Sequence, residues 1–234
     1  MNKIVREKNP LVHCITNYVT VNDVANAILA VGGSPVMADD INEVAEITAI
    51  ANALVINIAT LNARTIDSME KAIVTANLRN IPVVFDPVGA GISTLRNKTI
   101  ERFLSTVHFT AIRGNFSAIS YCADEDFEVI PSDKEAKKTL AVEIAQKVAE
   151  KYSCTVILTG EEDIISDGKH LVTIENGVLT MSKVFGTGCM LSGITGAYLG
   201  ACKDQFLAIV NAVVSMSIAG EMAAEECSAA GIGR

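Results

Sequence analysis

A chain of 234 residues, half of them hydrophobic, has the size of one α/β domain with a single large core. Its net charge of −8, from 19 basic and 27 acidic residues, and the lack of a basic cluster interleaved with aromatic residues argue against nucleic acid as a partner. No uncharged apolar run reaches the roughly 20 residues that span a bilayer, and the charged start lacks a secretory signal pattern. We therefore expect one soluble domain over residues 1–234, located in the cytoplasm and not in a membrane.

Apolar runs rich in β-branched residues alternate with segments of helical period through the first half of the chain. Strands or extended segments are predicted over residues 11–15, 34–37, 53–58, 82–86 and 108–112. Helices are predicted between them over residues 21–30, 41–51, 65–77 and 98–104. This alternation predicts a mainly parallel sheet with helices on both faces.

The second half of the chain departs from this alternation. Polar residues after Ser117 predict a surface excursion. It is followed by a helix, a strand, an antiparallel hairpin and two closing helices, over residues 135–152, 154–158, 163–166 with 171–174, 187–199 and 205–227. The hairpin turns at an Asp-Gly pair and makes one edge of the sheet mixed.

Cysteine and histidine residues give no sign of a metal centre. The six cysteines are scattered and form no Cys-x-x-Cys pair, which favours neither a zinc site nor a disulfide framework. Most of them are expected to act as small buried apolar side chains. His13, His108 and His170 fall beside predicted strands, and a structural role is favoured over a catalytic one for each.

A glycine-rich turn stands at the start of the predicted helix 187–199. The first N–H groups of a helix lack intrahelical partners, and the helix dipole makes that end partly positive. Gly186, Thr187 and Gly188 therefore predict a site for a phosphate or a developing oxyanion, with Cys189 in the first helical turn. The alternative is a tight loop before a core helix, and the turn alone does not decide between the two.

Ligands of a parallel sheet gather beyond the carboxyl ends of its strands, where several polar residues fall. Asp86 could hold Mg²⁺ against triphosphate oxygens, or it could cap a helix or make hydrogen bonds within a loop. Arg113 could grip phosphate in a planar fork, or it could pair with a surface acid. Thr159 could bond phosphate or satisfy a strand end, and for Met37 plain core packing is favoured.

These residues, taken with the glycine-rich turn, favour phosphoryl transfer, which depends on positioning and charge neutralisation. The sequence contains no Gly-x-x-x-x-Gly-Lys-[Ser/Thr] motif, and no Gly-x-Gly-x-x-Gly opens its first strand and helix. A nucleotide would therefore bind by a design other than these two.

Six short motifs, taken in order, resemble the hydroxyethylthiazole kinase family of the ribokinase-like superfamily, the thiazole-salvage enzymes of thiamine biosynthesis. They cover residues 10–17, 33–38, 86–89, 112–115, 159–161 and 186–189, so the resemblance extends over nearly the whole chain. The cysteine at 189 is especially specific, because most ribokinase-like enzymes carry an aspartate base there. The resemblance implies a ribokinase-like three-layer α/β sandwich.

The same resemblance implies transfer of the ATP γ-phosphate to the primary alcohol of 4-methyl-5-(2-hydroxyethyl)thiazole. It implies Mg²⁺ as the metal ion and a homotrimer whose active sites lie between subunits. By position, Met37 and Gly186 would contact the thiazole, with Asn17 nearby. Cys189 would lie where the substrate hydroxyl loses its proton, and residues 186–188 would stabilise charge on the transferred phosphoryl group.

On the nucleotide side, the resemblance implies that Arg113, Thr159 and Asn115 contact ATP. Asp86 would help to hold the Mg²⁺ ion.

Three positions differ from the family's usual pattern. Ala118 stands where a glutamate usually acts through water on the metal, Phe185 stands where a threonine usually precedes the glycine turn, and Ala59 replaces a glycine. Family members also generally continue through another helix, so a domain without that helix is expected here. Ala118 and Phe185 motivate the alternative of a catalytically weak or inactive thiazole-binding relative. A kinase for a related alcohol, such as hydroxymethylpyrimidine or a sugar alcohol, is a further alternative.

Overall fold

The computed structural model describes residues 2–124 and 133–229, so residues 125–132 of the predicted polar excursion lie outside the described residues. The strands are β1 Leu11–Ile15, β2 Ser34–Val36, β3 Ala53–Asn57, β4 Val83–Asp86, β5 Ala111–Asn115, β6 Thr155–Thr159, β7 Asp163–Ser166 and β8 Leu171–Ile174. The helices are α1 Asn2–Lys8, α2 Val21–Val31, α3 Val44–Ile50, α4 Ala63–Leu78, α5 Thr94–Thr106, α6 Phe116–Cys122, α7 Lys134–Tyr152, α8 Thr187–Ala201 and α9 Gln205–Ala229. A 3₁₀ helix covers Leu179–Lys183.

These strands form one sheet in the order β2-β1-β3-β4-β5-β6-β7-β8. The pairs from β2 across to β6 are parallel. The hairpin of β7 and β8 adds two antiparallel pairs at the far edge. The predicted mainly parallel sheet with one mixed edge is therefore confirmed.

Helices cover both faces of the sheet and make a three-layer sandwich. Successive strand residues point to opposite faces, so Leu54 and Ile56 belong to one core and Val55 to the other. Helices α3 to α7 pack on the first of these, called here the α4 face. Helices α1, α2, α8 and α9 pack on the second, called here the α8 face.

Strand β5 begins three residues later than predicted and runs through Asn115, so Arg113 lies within the strand and not after it. Gly114 and Asn115 are of types that are unfavourable in strands, so the sequence did not indicate that β5 continues through them. Gly114 is accommodated because α6 packs tightly there: a Cβ at 114 would lie 3.0 Å from the Ala118 Cβ. Helix α6 itself was not predicted, since the sequence after Ser117 indicated a surface excursion.

The chain order of the strands changes direction between β1 and β3. Helix α2 leaves β1 toward β2 on one side, whereas α4 leaves β3 toward β4 on the other. In open parallel sheets such a divergence leaves a crevice beyond the carboxyl ends of the two strands. The amino end of α8 reaches this crevice, as the contacts of Cys189 below demonstrate.

Residues Gln205–Cys227 of α9 are long and apolar enough to cross a membrane, judged by length and composition only. This segment was not predicted from the sequence, because only apolar runs without a charged residue were considered there and Glu221 interrupts the run. A core helix can pass the same test, and α9 packs against α8. It leaves Leu207, Ile218 and Met222 exposed.

Candidate active site

Four polar side chains line the carboxyl ends of four adjacent strands. Asn57, Asp86, Arg113 and Thr159 each follow, two positions later, a residue that packs in the core of the α8 face. Because side chains alternate along a strand, all four are on the face that α8 covers. Asn57 and Asp86 are also direct partners in the β3–β4 register.

Asp86 lies at the centre of this row and is almost completely buried. Its Oδ2 accepts hydrogen bonds from Asn57 Nδ2 at 3.0 Å and Ser192 Oγ at 2.7 Å, and it pairs with Arg113 Nη1 at 3.4 Å. Burial raises the pKa of Asp86 above its ordinary value, although the Arg113 charge and these hydrogen bonds act in the opposite direction. Within the described residues, the partners of the Asp86 carboxylate are thus three other side chains and no helix-end or loop N–H, and these hold it in place from three sides.

Arg113 spans the gap between Asp86 and Thr159. Its Nη2 donates to Thr159 Oγ1 at 2.8 Å while Nη1 faces Asp86, so the acid with which it pairs is buried and not on the surface. The guanidinium also lies against Gly188, where a Cβ would stand 2.6 Å from Arg113 Cζ. Arg113 Nε is buried and has no hydrogen-bond partner within the described ranges. A buried donor of this kind fits an incoming anionic oxygen.

The glycine-rich turn opens α8 as predicted. Gly186 is the N-cap residue with φ +91°, a left-handed conformation that favours glycine. A Cβ at 186 would stand 2.6 Å from Cγ2 of Thr20, the residue just before α2, so this close approach also requires glycine. Among the residues that the structure describes, no side chain caps α8, and the first N–H groups of this helix are those that suit an anion.

Cys189 lies in the first turn of α8 and is partly buried. Its Sγ accepts hydrogen bonds from Asn17 Nδ2 and Asn57 Nδ2, each at 3.3 Å. Since Asn57 also donates to Asp86, the predicted acidic residue and the predicted cysteine belong to one connected site.

The remaining predicted residues lie at the same edge of the sheet. Met37 directly follows β2 and is partly buried against the core of the α8 face, in agreement with the packing that its sequence favoured. Thr187 Oγ1 reaches the carbonyl of Met181 in the preceding 3₁₀ helix at 3.5 Å. Asn115 is exposed and uses its Oδ1 to accept the Ala118 N–H, which caps α6.

Three site residues were not singled out from the sequence. Asn57 was counted as part of the apolar run 53–58. It is two residues after Val55, however, so its side chain lies on the same face of the sheet as Asp86. Ser192 bonds Asp86 across 106 residues, and Arg96 donates to the carbonyls of Ile58, Ala59 and Val88. Arg96 thereby ties the segment after β3 to the segment after β4, a contact that no local pattern predicts.

Two of the three positions that differ from the usual family pattern are accounted for locally. Ala59 has no positive φ, so alanine in place of glycine brings no backbone strain. Ala118 is buried in the first turn of α6, where it packs over Gly114. Phe185 is 75% exposed beside the glycine turn, and nothing within the described part of this chain accounts for so large an apolar side chain there.

The residues present fit a metal ion that arrives with a nucleotide. Within residues 2–124 and 133–229, no group of three or more His, Cys, Asp or Glu side chains forms a protein-only metal site. Mg²⁺ in phosphate-transfer sites is commonly held by one or two carboxylates together with phosphate oxygens and water. Asp86 supplies one such carboxylate beside the predicted phosphate site.

His13 fixes the segment that carries Met37. Its Nε2 lies 2.8 Å from the Ala38 carbonyl, which can only accept, so Nε2 carries the proton and Nδ1 accepts from Thr48 Oγ1 at 2.8 Å. Burial lowers the pKa of His13 below 6.5, against the smaller opposing effect of the Ala38 hydrogen bond. The structural role predicted for this histidine agrees with these contacts.

This arrangement predicts an acid-sensitive contribution to stability. The unfolded chain binds a proton at His13 near pH 6.5 and the folded chain does so only at lower pH, so stability falls as pH decreases through 6.5. We expect the free energy of unfolding of the wild type to decrease, relative to His13→Gln, between pH 7 and pH 5. Urea melts across that range measure it, and a constant difference would contradict the assignment.

Known structures define the class of this fold. A ribokinase-like superfamily protein from Enterococcus faecalis superposes with a TM-score of 0.70 at 13% identity, over 96% of this chain and 87% of that one. The chain therefore has a ribokinase-like fold, and a carboxylate, a guanidinium and a helix amino end meet at its strand ends. This combination of groups is of the kind used in phosphotransferases.

The chain belongs to the hydroxyethylthiazole kinase family, whose sequence model matches residues 2–233. It is similar to a hydroxyethylthiazole kinase from Clostridium beijerinckii, with 49% identity over 234 residues, 98% of this chain and 85% of the relative. It is also similar to the structure of a hydroxyethylthiazole kinase protein from Pyrococcus horikoshii, with 39% identity and a TM-score of 0.88, over 97% of this chain and 85% of that one.

Proposed function

We propose that this protein transfers the γ-phosphoryl group of ATP to the primary hydroxyl of 4-methyl-5-(2-hydroxyethyl)thiazole, as the salvage step of thiamine biosynthesis in the cytoplasm. Family membership and the names of the similar proteins support this reaction. The observation that carries the proposal is one cluster in which Asp86 and Arg113 adjoin the amino end of α8 and Cys189.

On the nucleotide side, Arg113 and Thr159 bind the phosphates of ATP, and Asn115 contacts the nucleotide from the end of the same strand as Arg113. The unpartnered Arg113 Nε supports this role, because an anionic oxygen would satisfy it. Residues 186–188 and the amino end of α8 stabilise negative charge on the transferring phosphoryl group. Asp86 holds the Mg²⁺ ion, which neutralises charge on the triphosphate when bound.

On the acceptor side, Met37 and Gly186 contact the thiazole and Asn17 lies beside its hydroxyl arm. The position of Asn17 next to Cys189 supports this placement. Cys189 accepts the proton that the hydroxyl loses as its oxygen attacks phosphorus. The anchored His13 keeps the Met37 segment in place while this occurs.

Mass analysis of the products tests the proposed reaction directly. Incubation with ATP, Mg²⁺ and hydroxyethylthiazole should yield the thiazole monophosphate and ADP in equal amounts. Hydroxymethylpyrimidine and a sugar alcohol, offered separately, should be phosphorylated much more slowly. Absence of the thiazole product at high enzyme concentration would refute the proposal. Faster turnover of either other alcohol would show that this alcohol, and not the thiazole, is the acceptor substrate.

Ala118 offers a test of the metal contribution. We expect Ala118→Glu to lower the Mg²⁺ concentration for half-maximal activity several-fold, because it adds a second carboxylate in the first turn of α6, just beyond the carboxyl end of β5. Ala118→Gln is the matched control, since it has the same size without the charge. Titration of activity against Mg²⁺ measures the effect, and identical behaviour of the two variants would contradict the expectation.

We further propose that the protein acts as a homotrimer with its active sites between subunits. Exposed apolar side chains next to site residues and on the preceding 3₁₀ helix support this assembly: Tyr18 is 77%, Phe185 75% and Leu179 83% exposed in the single chain. Light scattering should give three times the 24.8 kDa of one chain. A monomeric mass in an active preparation would contradict the proposal.

A further inference from the structure

The orientation of two asparagine side chains beside Cys189 is fixed by backbone donors. Asn57 Oδ1 accepts the Ala59 N–H at 2.9 Å, and Asn17 Oδ1 accepts the Thr20 N–H at 3.0 Å. A backbone N–H can only donate, so the oxygen of each side-chain amide must face it. The nitrogen of each amide must then face the opposite way, toward the sulfur of Cys189.

Cys189 Sγ is therefore a hydrogen-bond acceptor from two sides. Both N–H donors lie 3.3 Å from the sulfur, a distance typical of N–H···S contacts. A sulfur can accept N–H hydrogen bonds through its lone pairs, and both amide nitrogens are aimed at it by the backbone contacts of their own oxygens. The amide pair thus holds the sulfur in place as an acceptor.

Asn57 links the sulfur to Asp86, whereas the second contact of Asn17 Nδ2 is with Asn57 Oδ1 at 3.3 Å. One hydrogen of the Asn57 amide nitrogen reaches the sulfur while the other reaches Asp86 Oδ2 at 3.0 Å. A carboxylate and a thiolate in direct contact would repel each other, whereas an amide N–H₂ group is complementary to both. Asn57 is therefore matched to a site in which both neighbours carry negative charge.

We propose that Asn57 is a positioning residue that holds the Cys189 sulfur as a proton acceptor at a fixed position relative to Asp86; this inference rests on the proposed function. In the reaction, the O–H bond of the substrate alcohol breaks and its proton passes to the sulfur, forming S–H. The freed electron pair on oxygen forms the new bond to the γ-phosphorus. The bond from that phosphorus to the bridging oxygen breaks, and its electrons leave with ADP.

The substitution Asn57→Asp tests this role because it keeps the size and the acceptor oxygen but replaces the N–H₂ donor with an acceptor. We expect kcat to fall about tenfold or more, since one hydrogen bond to a charged group is worth roughly that factor. The KM for the thiazole should change by less than about threefold, because the inference places Asn57 against Cys189 and Asp86 and not against the thiazole. Asn52→Asp, the same change at the opposite end of β3, is the matched control and should retain wild-type kinetics.

Alkylation of Cys189 gives a readout that does not depend on turnover. With neither substrate present and without Mg²⁺, the rate of modification by iodoacetamide at fixed neutral pH should fall about tenfold in Asn57→Asp, because a thiolate is the reactive form. Mass analysis of the Cys189 peptide separates this thiol from the other five cysteines. A wild type that alkylates as expected but forms no thiazole phosphate would refute the proposed function and leave the hydrogen-bond assignment supported.

The inference is overturned by wild-type kcat and wild-type alkylation in a folded Asn57→Asp protein, or by a kcat loss matched by an equal rise in the thiazole KM. If Asn57→Asp does not fold, Asn57→Ser replaces it, because serine removes the amide without adding charge. A folded Asn57→Ser protein with unchanged kcat overturns the inference equally.

Discussion

Replacement of Asp86 by asparagine is expected to lower kcat about a thousandfold, the upper range for loss of one electrostatic group that stabilises a transition state. The substitution keeps the shape of a side chain that is almost completely buried. It removes the negative charge that faces Arg113 and that would hold the metal ion. Steady-state kinetics at saturating ATP and thiazole measure the loss. Asp67→Asn on the exposed surface of α4 is the control and should leave kcat unchanged.

The same variant should gain relative stability as pH rises. Because burial raises the pKa of Asp86 above 3.8, the folded protein retains a proton that the unfolded chain has lost, and wild-type stability falls as pH rises above that value. Asparagine has no such proton. The free energy of unfolding of Asp86→Asn relative to the wild type should therefore be higher at pH 7 than at pH 4, with EDTA present. An Asp86→Asn protein with wild-type kcat, or a stability difference that does not change with pH, would show that Asp86 has another role.

Replacement of Arg113 by alanine is expected to raise the Kd for ATP about a hundredfold and to change the Kd for the thiazole much less, since the guanidinium charge and its hydrogen bonding to phosphate are lost. The structure supports this asymmetry: Arg113 lies between Asp86 and Thr159, whereas Met37 and Asn17 follow strands on the other side of β3. Isothermal titration with each ligand separately is the direct measurement. Equal loss of both affinities would contradict the assigned role.

Two further variants separate the charge of Arg113 from its position. Arg113→Lys keeps the charge but loses the planar fork, so ATP affinity should fall to an intermediate value. Gly188→Ala leaves Arg113 unchanged but places a methyl group 2.6 Å from its Cζ, which forces the guanidinium away from Asp86 and Thr159. It should weaken ATP binding selectively, as Arg113→Ala does. Wild-type ATP affinity in Gly188→Ala would show that the observed position of the guanidinium is not required.

Much of the fold follows from local patterns in the sequence. Strands such as 53–57 are short, apolar and separated by helices of regular period, so a parallel sheet with two helical layers is the arrangement that buries them. The end of β5 was missed because Gly114 and Asn115 are unfavourable in strands unless a neighbouring helix packs closely over them. Only the docking of α6, a contact between elements, supplies that reason.

The candidate site divides in the same way. Asp86 and Thr159 were predicted because each ends an apolar run at the edge of the sheet where ligands collect. Asn57 satisfies the same rule, but an apolar Ile58 follows it and concealed the end of β3. Ser192 and Arg96 could not be predicted, since their partners are determined by how α8 and α5 pack against the sheet.

The divergence of the chain between β1 and β3 has a consequence for how such a kinase could acquire new substrates. Under the proposed assignment, the residues that select the alcohol follow β1 and β2, whereas those that grip the nucleotide end β4, β5 and β6. Substitutions in the first group leave the residues that bind ATP unchanged. Acceptor preference can therefore drift in evolution by small changes near Met37 and Asn17, while the machinery for ATP is inherited unaltered.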